Sequence, residues 1–162
     1  MESAPTCQDL RLLFLEEIKI IMKRFITWVL FMALLLVYDN AGAEIILIVH
    51  KSVEEKSLSK KEIKRIFLGK KKKWLNGLKI KAVALKRGTV HDEFLNEFVN
   101  KTNASFSTFW KRAIVTGIGI PPRSYMSESD IVKYVSITKG AIGYISSNTP
   151  YEGVKILLIS NK

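Results

Sequence analysis

The sequence predicts an α/β protein, one domain with a small mixed sheet flanked by helices. Three observations carry this. Glu44 to Val49 is an unbroken, largely β-branched apolar run, the pattern of a strand buried on both faces. Leu58 to Gly69 is a short helix with both ends written into its residues. The remaining apolar runs and amphipathic stretches follow in the order β-α-β-α-α-α-β-β, with no internal repeat and no long linker.

Ahead of the first strand, the chain reads Met-Lys-Arg-Phe from Met22, then apolar residues from Ile26 to Val37, then Ala41-Gly42-Ala43. A charged start, a hydrophobic centre and a small-residue cleavage site are the anatomy of a secretory signal peptide. The run falls short of the about 20 residues that span a bilayer. The expected organisation is an upstream extension with a mis-assigned start (1–21), a signal peptide cleaved after Ala43 (22–43), and one domain (44–162). That domain is expected to be periplasmic or secreted, with no stable membrane anchor once the signal is removed. Cys7, the only cysteine, precedes it, so the exported form has neither disulfide nor thiol chemistry.

The 162-residue chain carries +11, and Glu44–Lys162 carries +12 from 22 basic against 10 acidic side chains. Such a balance favours anionic partners such as small oxyanions, nucleic acid or lipid head groups.

The first strand ends at His50-Lys51-Ser52, and open α/β sheets bind ligands at the carboxyl ends of their strands. In the helix that follows, Ser59 and Glu62 have capping-box spacing, Leu58 and Ile63 form a staple, and Ile63, Ile66 and Phe67 make the apolar stripe. Gly69 is its stop, and Asn76-Gly77 turns into a second strand, Leu78 to Leu85. Thr89 is the expected N-cap of the next helix, with Phe94, Leu95, Phe98 and Val99 inward. A helix from Ser105 turns Phe106, Phe109, Trp110, Ala113 and Ile114 inward. The loop Thr116–Pro122, with two glycines and two prolines, fits neither helix nor central strand. Ser127 and Asp130 then cap a helix that buries Ile131, Val132 and Val135; Ala141–Ser146 and Val154–Ile159 are the last strands.

Several chemistries lack support in these residues. His50 and His91 are the only histidines, far apart and without cysteine, and His91 is expected to be exposed in a first helical turn, so no metal is expected. No strand-elbow motif places a nucleophile, so no enzyme and no cofactor are expected. Lys70–Lys73 beside Trp74 reads as a solvated helix terminus with the indole in the core, rather than a nucleic-acid patch. The best oxyanion candidate is Arg87-Gly88-Thr89, where an arginine fork adjoins the free N–H groups of a helix start.

Leu58-Ser59-x-x-Glu62-Ile63-x-x-Ile66-Phe67-x-Gly69-x-x-x-x-Trp74 resembles the phosphate-type substrate-binding proteins of ABC transporters, especially their short, single-lobe relatives. Phe94, Phe109-Trp110-x-Arg112, the Gly117–Pro122 loop and Gly140-Ala141-Ile142-Gly143-Tyr144 extend the resemblance over the whole exported part. It implies a single lobe of periplasmic-binding-protein type II. The relatives carry Arg, then Ser-Gly-Thr, ahead of a helix; read back from Phe94, that tripeptide falls on Gly88-Thr89-Val90, leaving a displaced Thr and the nearby Arg87. The expected ligand set for a weakly held, phosphate-like oxyanion is Ser52, Arg87, Gly88, Thr89 and Gly140. The expected partner is an ABC permease or another envelope protein. A competing expectation is an adaptor module that keeps the fold and binds an envelope partner through its basic surface.

Overall fold

The computed structural model describes residues 19, 21–28, 44–117 and 119–160. Most of the expected upstream extension, most of the expected signal peptide and its cleavage site lie outside them. Residues 21–28 are helical, with Phe25 and Trp28 exposed. Among the described residues no helix is long and apolar enough to cross a membrane.

From residue 44 onward the chain builds one six-stranded sheet. In chain order the elements are β1 (Ile45–Val49), β2 (Ser57–Ser59), α1 (Lys60–Phe67), β3 (Lys81–Leu85), α2 (Thr89–Phe94), α3 (Asn103–Val115), β4 (Arg123–Tyr125), α4 (Glu128–Ile137), β5 (Ala141–Ser146) and β6 (Lys155–Ser160). The strands lie in the order β2-β6-β1-β5-β3-β4. β1 runs antiparallel to both neighbours, pairing Ile45 with Ser146 through Val49 with Ile142 on β5. β3 runs parallel to β5 and β4, and β2 parallel to β6. The sheet is therefore mixed, as its residues predict.

β5 lies at the centre and every one of its residues is buried, which is why it reads as a continuous apolar run. On one face Tyr144 stacks on Phe94, with ring centroids 3.7 Å apart and planes 6° from parallel, and Phe67 meets Phe94 edge-on at 4.7 Å. Such aromatic pairs contribute about 0.5–1.5 kcal/mol each beyond the area they bury. On α4, Ile131 and Val135 are buried, while Val132 is only half-buried.

α1 forms as its sequence predicts. The Ser59 hydroxyl accepts from the Glu62 amide, and the Glu62 carboxylate accepts from the Ser59 amide. Ile63, Ile66 and Phe67 are buried, as is Leu58. The predicted stripe Phe94, Leu95, Phe98 and Val99 is buried too. It is continued past α2 by a single π-helical stretch, Leu95–Val99, which ends at Asn100 in the left-handed conformation.

Elsewhere the structure corrects the sequence reading. β2 and β4 are absent from it, because these three-residue strands exist only through pairing with β6 and β3. β3 begins at Lys81 and not at Leu78; the preceding residues turn back, Lys79 bridging to Lys73 and the Ile80 amide donating to the Lys72 carbonyl. α3 begins at Asn103 and not at Ser105, and Thr102 caps it by accepting from the Ser105 amide. Ile114, expected inside, is exposed on that helix. Trp74 is buried and its indole N–H donates to the Gly140 carbonyl at 2.9 Å.

Candidate functional site

Parallel strands deliver their carboxyl ends to one edge of a sheet, and the loops that follow can meet there. β3 ends at Leu85 and leads through Lys86, Arg87 and Gly88 into α2; β4 ends at Tyr125 and leads through Met126 into α4. Together these turns border an open pocket of about 390 Å³, lined by Arg87, Gly88, Thr89, Val90, Ser127 and Glu128 among others. Arg87 is exposed and has no ion-pair partner among the described residues.

The two helix starts differ. α4 is capped by Ser127, whose hydroxyl accepts from the Asp130 amide. α2 has no side-chain cap: its N-cap is Gly88, and Thr89 is already the first helical residue. This corrects the expectation that Thr89 caps, since a residue with helical backbone inside the first turn lacks the extended backbone a cap requires. The first N–H groups of a helix have no intrahelical acceptor and carry its positive dipole end. Beside them stands Arg87, a fork suited to an oxyanion.

One acid also lines the pocket. The Glu128 carboxylate accepts from the Ser146 amide and the Thr149 hydroxyl, each at 2.6 Å, and so fastens the end of β5. Its charge opposes an incoming anion, while these two donors partly offset it.

Ser52 and Gly140 are elsewhere. The Ser52 hydroxyl lies 2.8 Å from Nδ1 of His50 and accepts from the Gly140 amide at 3.2 Å, and the Ser52 carbonyl accepts from Asn76. The Gly140 carbonyl accepts from both the Trp74 indole and the Lys81 amide. Gly140 has φ +77°, and a Cβ there would collide with the Lys79 carbonyl oxygen, so only glycine fits. These groups are consumed in locking the turn after β1 to the turn before β5.

The five expected ligands thus fall into two groups. Because β1 is antiparallel to β5, its carboxyl end lies beside the amino ends of β5 and β3. Ser52 and Gly140 are separated from Arg87, Gly88 and Thr89 by at least the length of β3, roughly 15 Å at the usual strand rise. No single site contains all five.

A buried polar pair behind the pocket escapes the sequence reading. His91, expected to be exposed, is 2% exposed, and its Nδ1 lies 2.5 Å from the Tyr144 hydroxyl. That hydroxyl also accepts from the Leu85 amide at 3.0 Å. The tautomer of His91 decides which of the two groups donates in this contact. Burial lowers the His91 pKa below its ordinary value, against the nearby Asp92 charge and a hydrogen bond with Asn103. Burial raises that of Tyr144. The pair connects the end of β3, the middle of β5 and the first turn of α2. Among the described residues no group of three or more His, Cys, Asp or Glu side chains is placed to hold a metal ion.

The loops of this mixed α/β fold gather at the carboxyl ends of β3 and β4, and solved structures share the fold. The fold is similar to PstS from Borrelia burgdorferi, with TM-score 0.56 and 17% identity over 73% of this chain and 48% of that one. It is also similar to a candidate phosphate ABC transporter substrate-binding protein with bound phosphate from Clostridium perfringens (TM-score 0.56, 24% identity, 71% of this chain and 44% of that one). A candidate phosphate-binding protein from Planctomyces limnophilus is similar as well (TM-score 0.54, 16% identity, 72% and 41%). This chain spans less than half the length of each of these structures. No protein-family model matches the sequence, and no curated protein matches it.

Proposed function

We propose that this chain is an exported substrate-binding lobe, without enzymatic activity, that takes a small phosphate-like oxyanion at the carboxyl end of β3 and serves an ABC permease. Arg87 supplies the charged fork, and the N–H groups of Thr89 and Val90 supply neutral donors. The observation that carries this reading is the start of α2: a helix N-terminus without a side-chain cap beside an arginine that has no ion-pair partner among the described residues, at the sheet edge where α/β proteins hold ligands. The names of two fold neighbours, one a candidate phosphate transporter substrate-binding protein with bound phosphate and one a candidate phosphate-binding protein, support the same class of ligand.

The binding is weak by construction. The pocket at Arg87 is open and covers one side of an anion, whereas well-formed sites enclose most of their ligand. The fixed Glu128 charge lowers affinity further. Calorimetric titration of the full chain tests the reading, with phosphate and sulfate compared at low and moderate salt. Saturable heat that survives moderate salt and is lost in Arg87→Ala is expected. Equal, salt-erased heat for both anions, unchanged by Arg87→Ala, would leave only diffuse attraction to a basic surface.

A further inference from the structure

At the opposite end of β3 lies a second cleft, of about 410 Å³. β4 pairs with β3 only from Val83, and the Lys73–Lys79 bridge lies ahead of it, so the stretch Ile80–Ala82 between them lines the cleft. Four cations converge on it from separate parts of the chain: Lys72, Lys79, Lys81 and Arg123. All four are exposed, and none has a carboxylate partner among the described residues. Lys71, which also borders the cleft, is already paired with Glu62 at 2.9 Å. No acidic side chain stands among the lining residues, in contrast to the pocket at Arg87.

The rest of the lining is apolar. Trp110 is buried in the wall and its indole nitrogen has no hydrogen-bond partner among the described residues, while Ile120 is 85% exposed beside the proline pair. Gathering like charges around an apolar concavity is unfavourable without a counter-charge, and it is offset by an anion that reaches several cations at once. An inorganic anion would satisfy the cations and leave the apolar surface wet. A ligand that joins an anionic head to an apolar body satisfies both.

We infer that this cleft binds phosphate esters bearing an apolar substituent, the phosphate held by Lys72, Lys79, Lys81 and Arg123 and the substituent lying against Trp110 and Ile120. The site is separate from the one at Arg87. Its chemistry is shared by soluble esters and by anionic lipid head groups.

Amide-resolved NMR titration of the ¹⁵N-labelled full chain tests it, with phenyl phosphate and inorganic phosphate as probes. Phenyl phosphate is expected to shift the amides of Gly69, Ala82 and Gly119 saturably, at about tenfold lower concentration than phosphate, the value of a partly buried ring. The double variant Lys72→Gln with Lys81→Gln, both at exposed positions, is expected to weaken that binding at least about fivefold, a loss of charge contacts. Arg87→Ala is expected to leave it unchanged, which separates this site from the proposed oxyanion site. Co-sedimentation with phosphatidylglycerol vesicles that phenyl phosphate competes away would identify a lipid source, and its absence a soluble one. Equal affinity for the two phosphates, or phenyl phosphate binding that is lost in Arg87→Ala and retained in the lysine variant, would overturn the inference.

Discussion

The hydroxyl of Tyr144, in the middle of β5, is bonded to Nδ1 of His91, in the first turn of α2, at 2.5 Å. Through this bond the central strand fixes the helix start that presents Thr89 and Val90 to the candidate site. The Leu85 amide, bonded to the same hydroxyl, fixes the end of β3. A buried network with its partners satisfied specifies one arrangement of the elements it joins.

This geometry predicts a pH dependence of stability. His91 has a folded pKa below its ordinary 6.5, so between the two values the unfolded chain binds more protons than the folded one. Stability is therefore full above 6.5 and falls as pH drops from there toward the folded value. Glu62, lowered first by its bond to Lys71 and then by the Ser59 amide, adds a separate loss below its ordinary 4.5. Thermal unfolding across pH 5 to 8 is expected to show a decline below about 6.5 that His91→Gln flattens. An unchanged slope in that variant would place the titration elsewhere.

Gly140 separates a structural role from a ligand role. Ala at this position meets the Lys79 carbonyl in a left-handed backbone. Gly140→Ala is expected to lower the unfolding free energy by about 1–3 kcal/mol, the cost of a strained non-glycine conformation. Denaturant melts with an unchanged slope would report it. A variant of unchanged stability that loses anion binding would return Gly140 to the site.

The helix caps can be told apart by truncation. Thr102 accepts from the Ser105 amide and Ser59 from the Glu62 amide, whereas Thr89 caps nothing. Ser59→Ala and Thr102→Ala are each expected to cost about 1 kcal/mol, and Thr89→Ala no more than about 0.5 kcal/mol. Urea unfolding of the three variants measures this. A cost at Thr89 equal to the others would mean that its side chain caps α2 after all.

What was legible in the sequence was local. The capping box of α1, the apolar stripe after Thr89 and the continuous runs of β1 and β5 are set by neighbours within a few residues. β2 and β4 were not legible, since Ser57-Leu58-Ser59 and Arg123-Ser124-Tyr125 are too short for a strand period to register and are extended only by distant partners. His91 reads as a polar first-turn residue because its partner stands 53 positions away. The candidate site was half legible for one further reason. The carboxyl end of β1 is a ligand edge only if β1 runs with β3, and strand direction is a property of pairing that Ser52 does not encode.

The most direct test of the central claim is to follow the backbone amides of Thr89 and Val90 by NMR while phosphate is added to the full chain. The account predicts saturable shifts at these two amides, absent in Arg87→Ala, with the amides of Ser52 and Gly140 unmoved. Shifts at Ser52 and Gly140, or phosphate binding that leaves Thr89 and Val90 unmoved, would contradict it.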